Sequence, residues 1–163
     1  VNRNNYFRRA TARAGAIEER SDMRYLVLVS HGTLAEGMHS VLKMLGGDSP
    51  AVRHCCLEDG MGAEAFIENF KKTIEDMNAE DEIVLMGDIQ GGSPLTNAMN
   101  EIASAGMLPS TIVFAGMNLP MAMTAFMSLA AGDLADLKAC LVDDARAGVT
   151  EIVLADDEDE DDL

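Results

Sequence analysis

A short run without polar relief constrains this chain more than any other feature. Tyr25-Leu26-Val27-Leu28-Val29 is continuously apolar and of strand length, and a strand without alternation has to be buried on both faces. The run breaks at Ser30-His31-Gly32, after which Leu34, Met38, Val41, Leu42 and Leu45 recur at spacings of three and four. That is one apolar helical face. His31 is thus expected where a buried parallel strand hands over to a helix, and in open α/β sheets ligands and chemistry collect beyond those strand ends.

The same alternation continues along the chain. Gly46-Gly47 ends the first helix, Ala51–Leu57 reads as a second strand, and Ala63 to about Met77 as a second helix. Ile83–Met86 is a third strand, running into Gly87-Asp88-Ile89-Gln90-Gly91-Gly92-Ser93-Pro94. Pro94 at a helix start costs no needed donor, and Ser93 is placed to cap the helix that runs to about Ala105. Thr111–Ala115 is a fourth strand, followed by Gly116-Met117-Asn118-Leu119-Pro120 and a helix rich in small residues. Asp133–Ala147 gives a last helix, and Val149–Ala155 a short β-prone piece. Strand and helix repeated at these lengths predict a doubly wound α/β fold, a parallel sheet covered on both faces with right-handed crossovers. His39 and His54, each alone in its element, read as structural.

At 163 residues the chain suffices for one domain that buries about two-thirds of its unfolded surface. Residues 1–22 carry five arginines without apolar periodicity and read as a leader or disordered arm. Residues 23–155 form the domain, and 156–163 an acidic, self-repelling tail. Without the arm, seven basic residues face 25 acidic ones, a formal −18. This balance speaks against nucleic acid or an anionic membrane and suits a basic protein partner. Cys55, Cys56 and Cys140 have neither metal-ligand spacing nor an even disulfide framework. They read as buried reduced thiols of a cytoplasmic protein. No apolar run reaches the roughly 18 residues of a membrane span.

With the strands in the order 2-1-3-4, the turns after strands 1 and 3 flank one crevice, bringing together His31 and Asp88. An imidazole with an ordinary pKa of about 6.5 has a free nitrogen at neutral pH that can attack phosphorus. Asp88 can take the proton of the other nitrogen, fixing the tautomer and stabilising the cation that forms. Gly91 and Gly92 let backbone N–H groups approach phosphoryl oxygens at a positive helix end. The Ser93 hydroxyl can either cap the helix or donate to the phosphoryl group. Neither a Gly-x-x-x-x-Gly-Lys-Ser/Thr loop nor a Gly-x-Gly-x-x-Gly turn is present. The site therefore suits passing a phosphoryl group between proteins better than taking one from a nucleotide; no metal or cofactor is expected.

These residues resemble the IIA component of the mannose-type bacterial sugar phosphotransferase system. His31-Gly32-Thr33-Leu34-Ala35-Glu36-Gly37 is similar to that family's first-strand signature, and Asp88-Ile89-Gln90-Gly91-Gly92-Ser93-Pro94 to its second turn. Ala115-Gly116-Met117-Asn118-Leu119-Pro120-Met121 resembles its third, and Arg146-Ala147-Gly148-Val149 the approach to its last strand. The resemblance implies that His31 takes a phosphoryl group from phospho-HPr on Nε2 and gives it to a IIB component. It implies Asp88 as the residue orienting the ring, Gly92 and Ser93 as holding the phosphoryl oxygens, and Asn118 on the site rim. It also implies a homodimer in which Val149–Leu154 joins the partner's sheet as an antiparallel strand, with the membrane reached only through IIB. Gln90 stands where some members have an aromatic residue. Two alternatives share the fold: the phosphotransfer subunit of the dihydroxyacetone kinase driven by the same system, and a non-catalytic regulatory module. The first is usually longer and differs in its second turn; the second has no need of a His31–Asp88 pair.

Overall fold

The computed structural model describes residues 23–130 and 132–153, so the arginine-rich arm and the acidic tail lie outside the described residues. Four strands, β1 (Arg24–His31), β2 (Val52–Leu57), β3 (Glu82–Gly87) and β4 (Thr111–Ala115), form one sheet. Its order is β2-β1-β3-β4 and every pairing is parallel. Among the described residues five helices connect and flank it: α1 (Leu34–Gly46), α2 (Ala63–Thr73), α3 (Ser93–Ser104), α4 (Leu119–Met127) and α5 (Leu134–Ala147). A single 3₁₀ turn at Leu108–Ser110 precedes β4.

Alternation within β1 explains the two layers. Tyr25, Val27 and Val29 point to the face covered by α2 and α3, where Phe66, Phe70 and Ile102 are fully buried. Leu26 and Leu28 point to the other, packing with Leu42 of α1, Ala122 of α4 and Leu141 of α5. Since β1 and β3 are neighbours while α1 and α3 leave on opposite faces, the topological crevice opens between their carboxyl ends. The expected doubly wound architecture is the one observed.

Three local expectations need correction. The second helix stops at Thr73, not near Met77, although Ile74 and Met77 stay buried. The chain leaves the helix in a tight turn, Met77 N–H donating to Ile74 O at 3.0 Å, so apolar spacing outlasts the helical backbone. Val149–Val153, the described part of the β-prone piece, forms no strand among the described residues, and Val149, Ile152 and Val153 are largely exposed. The cysteines are not uniformly buried: Cys55 is, Cys56 is half-buried and Cys140 is exposed. Cys140 lies on α5 just ahead of buried Leu141, roughly 100° around the helix from the apolar stripe of Leu137, Leu141 and Ala145.

Candidate functional site

The crevice is built from the last residue of β1 outward. His31 pairs with Leu57 in the sheet, and Gly32 extends that pairing, its N–H donating to Leu57 O at 2.9 Å. The chain then reverses at Gly32, whose φ of +54° suits a residue without Cβ. Ser30, fully buried, turns its hydroxyl into the following helix and accepts the Ala35 N–H at 2.8 Å. No side chain of Thr33, the nominal cap residue, does this. Ser30 therefore supplies the acceptor that a helix start lacks, and ties the turn carrying His31 to both β1 and α1.

Asp88 follows the last residue of β3 and reaches across to β1. One carboxylate oxygen, Oδ2, accepts two bonds from the same residue: the His31 backbone N–H at 2.8 Å, and ring Nδ1 at 2.9 Å. The other, Oδ1, accepts the Ile89 N–H at 2.9 Å. Burial pushes the Asp88 carboxyl up, but the His31 and Ile89 bonds outweigh it and hold the group below the usual carboxylate range. An ionised carboxylate can only accept, so the shared proton belongs to Nδ1. Nε2 is left with its lone pair, on a side chain 46% exposed.

The third component is the start of α3. Gly92, not Ser93, is the N-cap residue, and Pro94 falls one position later than expected, second in the helix. Ser93 is the first residue of the helix proper, and no side-chain cap bond is made at this start. The Gly92 N–H donates to Ile89 O at 3.2 Å within the turn. Asn118 is the N-cap residue of α4. Its side chain accepts the Met121 N–H at 3.1 Å and donates to Ala145 O at 2.8 Å, fastening α4 to α5. The structure thus brings His31, Asp88 and the Gly92-Ser93 turn together and commits Asn118 to helix packing. Among the described residues no three His, Cys, Asp or Glu side chains are grouped to hold a metal ion.

Ser30 and Ile89 escaped the reading of the sequence. A serine closing an otherwise apolar strand, a few residues before a helix, is the signal that marks Ser30. Ile89 has no such signal; its side chain and the His31 ring both border the space where a Gly92 Cβ would stand.

Comparison with known proteins supplies the deciding observation. A family model described as EIIA-man, the PTS system fructose IIA component, matches residues 25–142. The chain belongs to this IIA family. A mannose/sorbose specific IIA subunit from Enterococcus faecalis is similar to it at 25% identity, with a TM-score of 0.70 over 82% of this chain and 98% of that one. Phosphotransferase component EIIA from Streptococcus agalactiae shares the fold at 22% identity, with a TM-score of 0.69 over 79% and 97% of the two chains. A PTS IIA protein associated with the fucose utilization operon of Streptococcus pneumoniae shares it at 24% identity and a TM-score of 0.67, over 80% and 94%. Family membership gives this IIA chain a phosphotransfer role in the sugar phosphotransferase system. No helix among its described residues is long and apolar enough to cross a membrane.

Proposed function

We propose that this IIA protein is a phosphocarrier, taking a phosphoryl group from phospho-HPr on His31 Nε2 and passing it to a IIB component. The observation that carries the reading is the single carboxylate oxygen of Asp88 holding both the main-chain and the ring N–H of His31. This fixes the ring angle, keeps the proton on Nδ1 and leaves Nε2 as the nucleophile. As the N–P bond forms, the ring gains positive charge opposite a carboxylate already ionised. Asp88 thereby stabilises the phosphorylated ring without itself moving a proton. The Ser93 hydroxyl, free of a capping bond, and the positive end of α3 are the groups that suit the phosphoryl oxygens.

A side chain almost half exposed is accessible to a residue of another protein, which suits a carrier loaded and unloaded by protein partners. A homodimer belongs to the same reading. β4 is an edge strand, with hollows on either side that share Phe114 and Ala115. The exposed apolar segment Val149–Val153 leaves α5 beside one of them, which Val149 also lines. A partner strand added along β4 would cover both edge and segment.

The test is incubation with phospho-HPr carrying labelled phosphate. The wild-type protein is expected to take up an acid-labile label and surrender it to a IIB domain. His31→Ala should take up none. Label retained in that variant refutes the assignment of His31.

A further inference from the structure

We infer that Gly92 is the seat of the His31 ring: its missing side chain, rather than its N–H, holds the imidazole in the orientation that makes Nε2 the phosphoryl acceptor. The inference deepens the phosphocarrier reading and rests on it for the chemistry, although not for the geometry. Both polar groups of the Gly92 backbone are already spent. Its N–H donates to Ile89 O at 3.2 Å, and its carbonyl accepts the Thr96 N–H at 3.0 Å. Its backbone angles, φ −66° and ψ 149°, are open to any residue. Nothing about the main chain therefore calls for glycine here.

Space does. A Cβ at position 92 would stand 2.8 Å from His31 Cε1 and 2.7 Å from Ile89 Cγ2, inside van der Waals contact in both directions. Cε1 is the ring atom between the two nitrogens. Asp88 holds Nδ1 at 2.9 Å and Gly92 lies against Cε1, so the ring is bounded on two sides while Nε2 carries no protein hydrogen bond among the described residues. A methyl group at 92 cannot stand there without displacing the His31 ring or Ile89, and displacement of the ring strains its bond to Asp88. The step that depends on this orientation is balanced as follows. The Nε2 lone pair forms the new N–P bond while the P–N bond of a donor phosphohistidine breaks, its electron pair returning to the donor imidazole. The Nδ1 proton stays on His31 throughout.

Two measurements test this on the full chain. In ¹⁵N-labelled wild-type protein, NMR is expected to show a strong Gly92 Hα to His31 Hε1 contact, and a tautomer protonated at Nδ1 with an unprotonated Nε2. In Gly92→Ala, with the amide spectrum of the sheet unchanged, the Nε2-protonated tautomer should become the major one. Transfer from phospho-HPr should fall on the order of 100-fold, as for a reacting group displaced by about an ångström. Adding Ile89→Ala to Gly92→Ala should restore neither. Absence of the proton contact in wild type, an unaltered tautomer in Gly92→Ala, or recovery in the double variant each overturns the seat. A wild-type protein with the contact and the tautomer, yet unlabelled by phospho-HPr, overturns the phosphocarrier reading and leaves the geometry standing.

Discussion

Replacing Asp88 by Asn separates the charge of this side chain from its shape. The carboxylate accepts three N–H groups, two on Oδ2 and one on Oδ1. An amide of the same shape has one acceptor oxygen, so its NH₂ must face either the His31 pair or the Ile89 N–H. A hydrogen bond to a charged acceptor contributes about 1.5–3 kcal/mol. Asp88 is only 15% exposed, but the His31 side chain is 46% exposed, and water can take up part of the loss, which favours the lower figure. Loss of the counter-charge as the ring becomes cationic raises the barrier by about 1.5 kcal/mol, slowing transfer about tenfold. Single-turnover rapid-quench measurement from phospho-HPr reads the rate, and urea titration reads the stability. Because the Asp88 pKa is depressed on folding, its contribution is complete above the unfolded aspartate value of about 3.9 and is lost as pH falls through the lower folded value. Wild type and Asp88→Asn should therefore differ at pH 7 and converge in acid. A variant that folds and transfers within twofold of wild type would show that the carboxylate does not prepare the ring.

Ser30→Ala leaves the buried Ala35 N–H without its acceptor and should cost about 1–3 kcal/mol, read from the urea midpoint; an unchanged midpoint removes Ser30 from the turn. His39 and His54 approach at 2.7 Å through Nδ1, and burial, then the charge of His54, lowers the His39 pKa. A histidine depressed on folding adds stability that is full above the unfolded value of about 6.5 and lost as pH falls toward the folded one. Stability should thus drop from pH 7.5 to 5.5, and His39→Gln should flatten the drop; parallel pH profiles contradict this. Burial, then Cys56, pushes the Cys55 thiol up to about 11, so a disulfide reagent at pH 8 should modify exposed Cys140 first and Cys55 only on unfolding.

Elements set by apolar pattern were the legible part. The β1 run and the four β-α alternations follow from burial; the order 2-1-3-4 is the common one for a doubly wound sheet, and with it His31 meets Asp88. Details decided by where one hydrogen bond goes were not. Whether Ser93 or Gly92 caps α3 turns on a backbone angle, and the Ser30 bond to Ala35 spans five residues with no repeating pattern behind it. His39 and His54 each looked solitary, because neighbours across a helix and an edge strand are 15 positions apart in the chain. Val149–Val153 reads as a strand by composition, but pairing needs a second strand, and none pairs with it among the described residues.

The pair of hydrogen bonds that His31 donates to Asp88 lies two residues past Val29 and one past Gly87, which face each other in the β1–β3 register. Geometry at the reacting nitrogen is therefore inherited from the innermost ladder of the molecule, the region expected to exchange its amide protons most slowly. On the phosphocarrier reading proposed above, successive partners would meet an imidazole whose orientation the fold has already set. What distinguishes one client from another can be carried by the surrounding loops, free to vary while the nitrogen stays put.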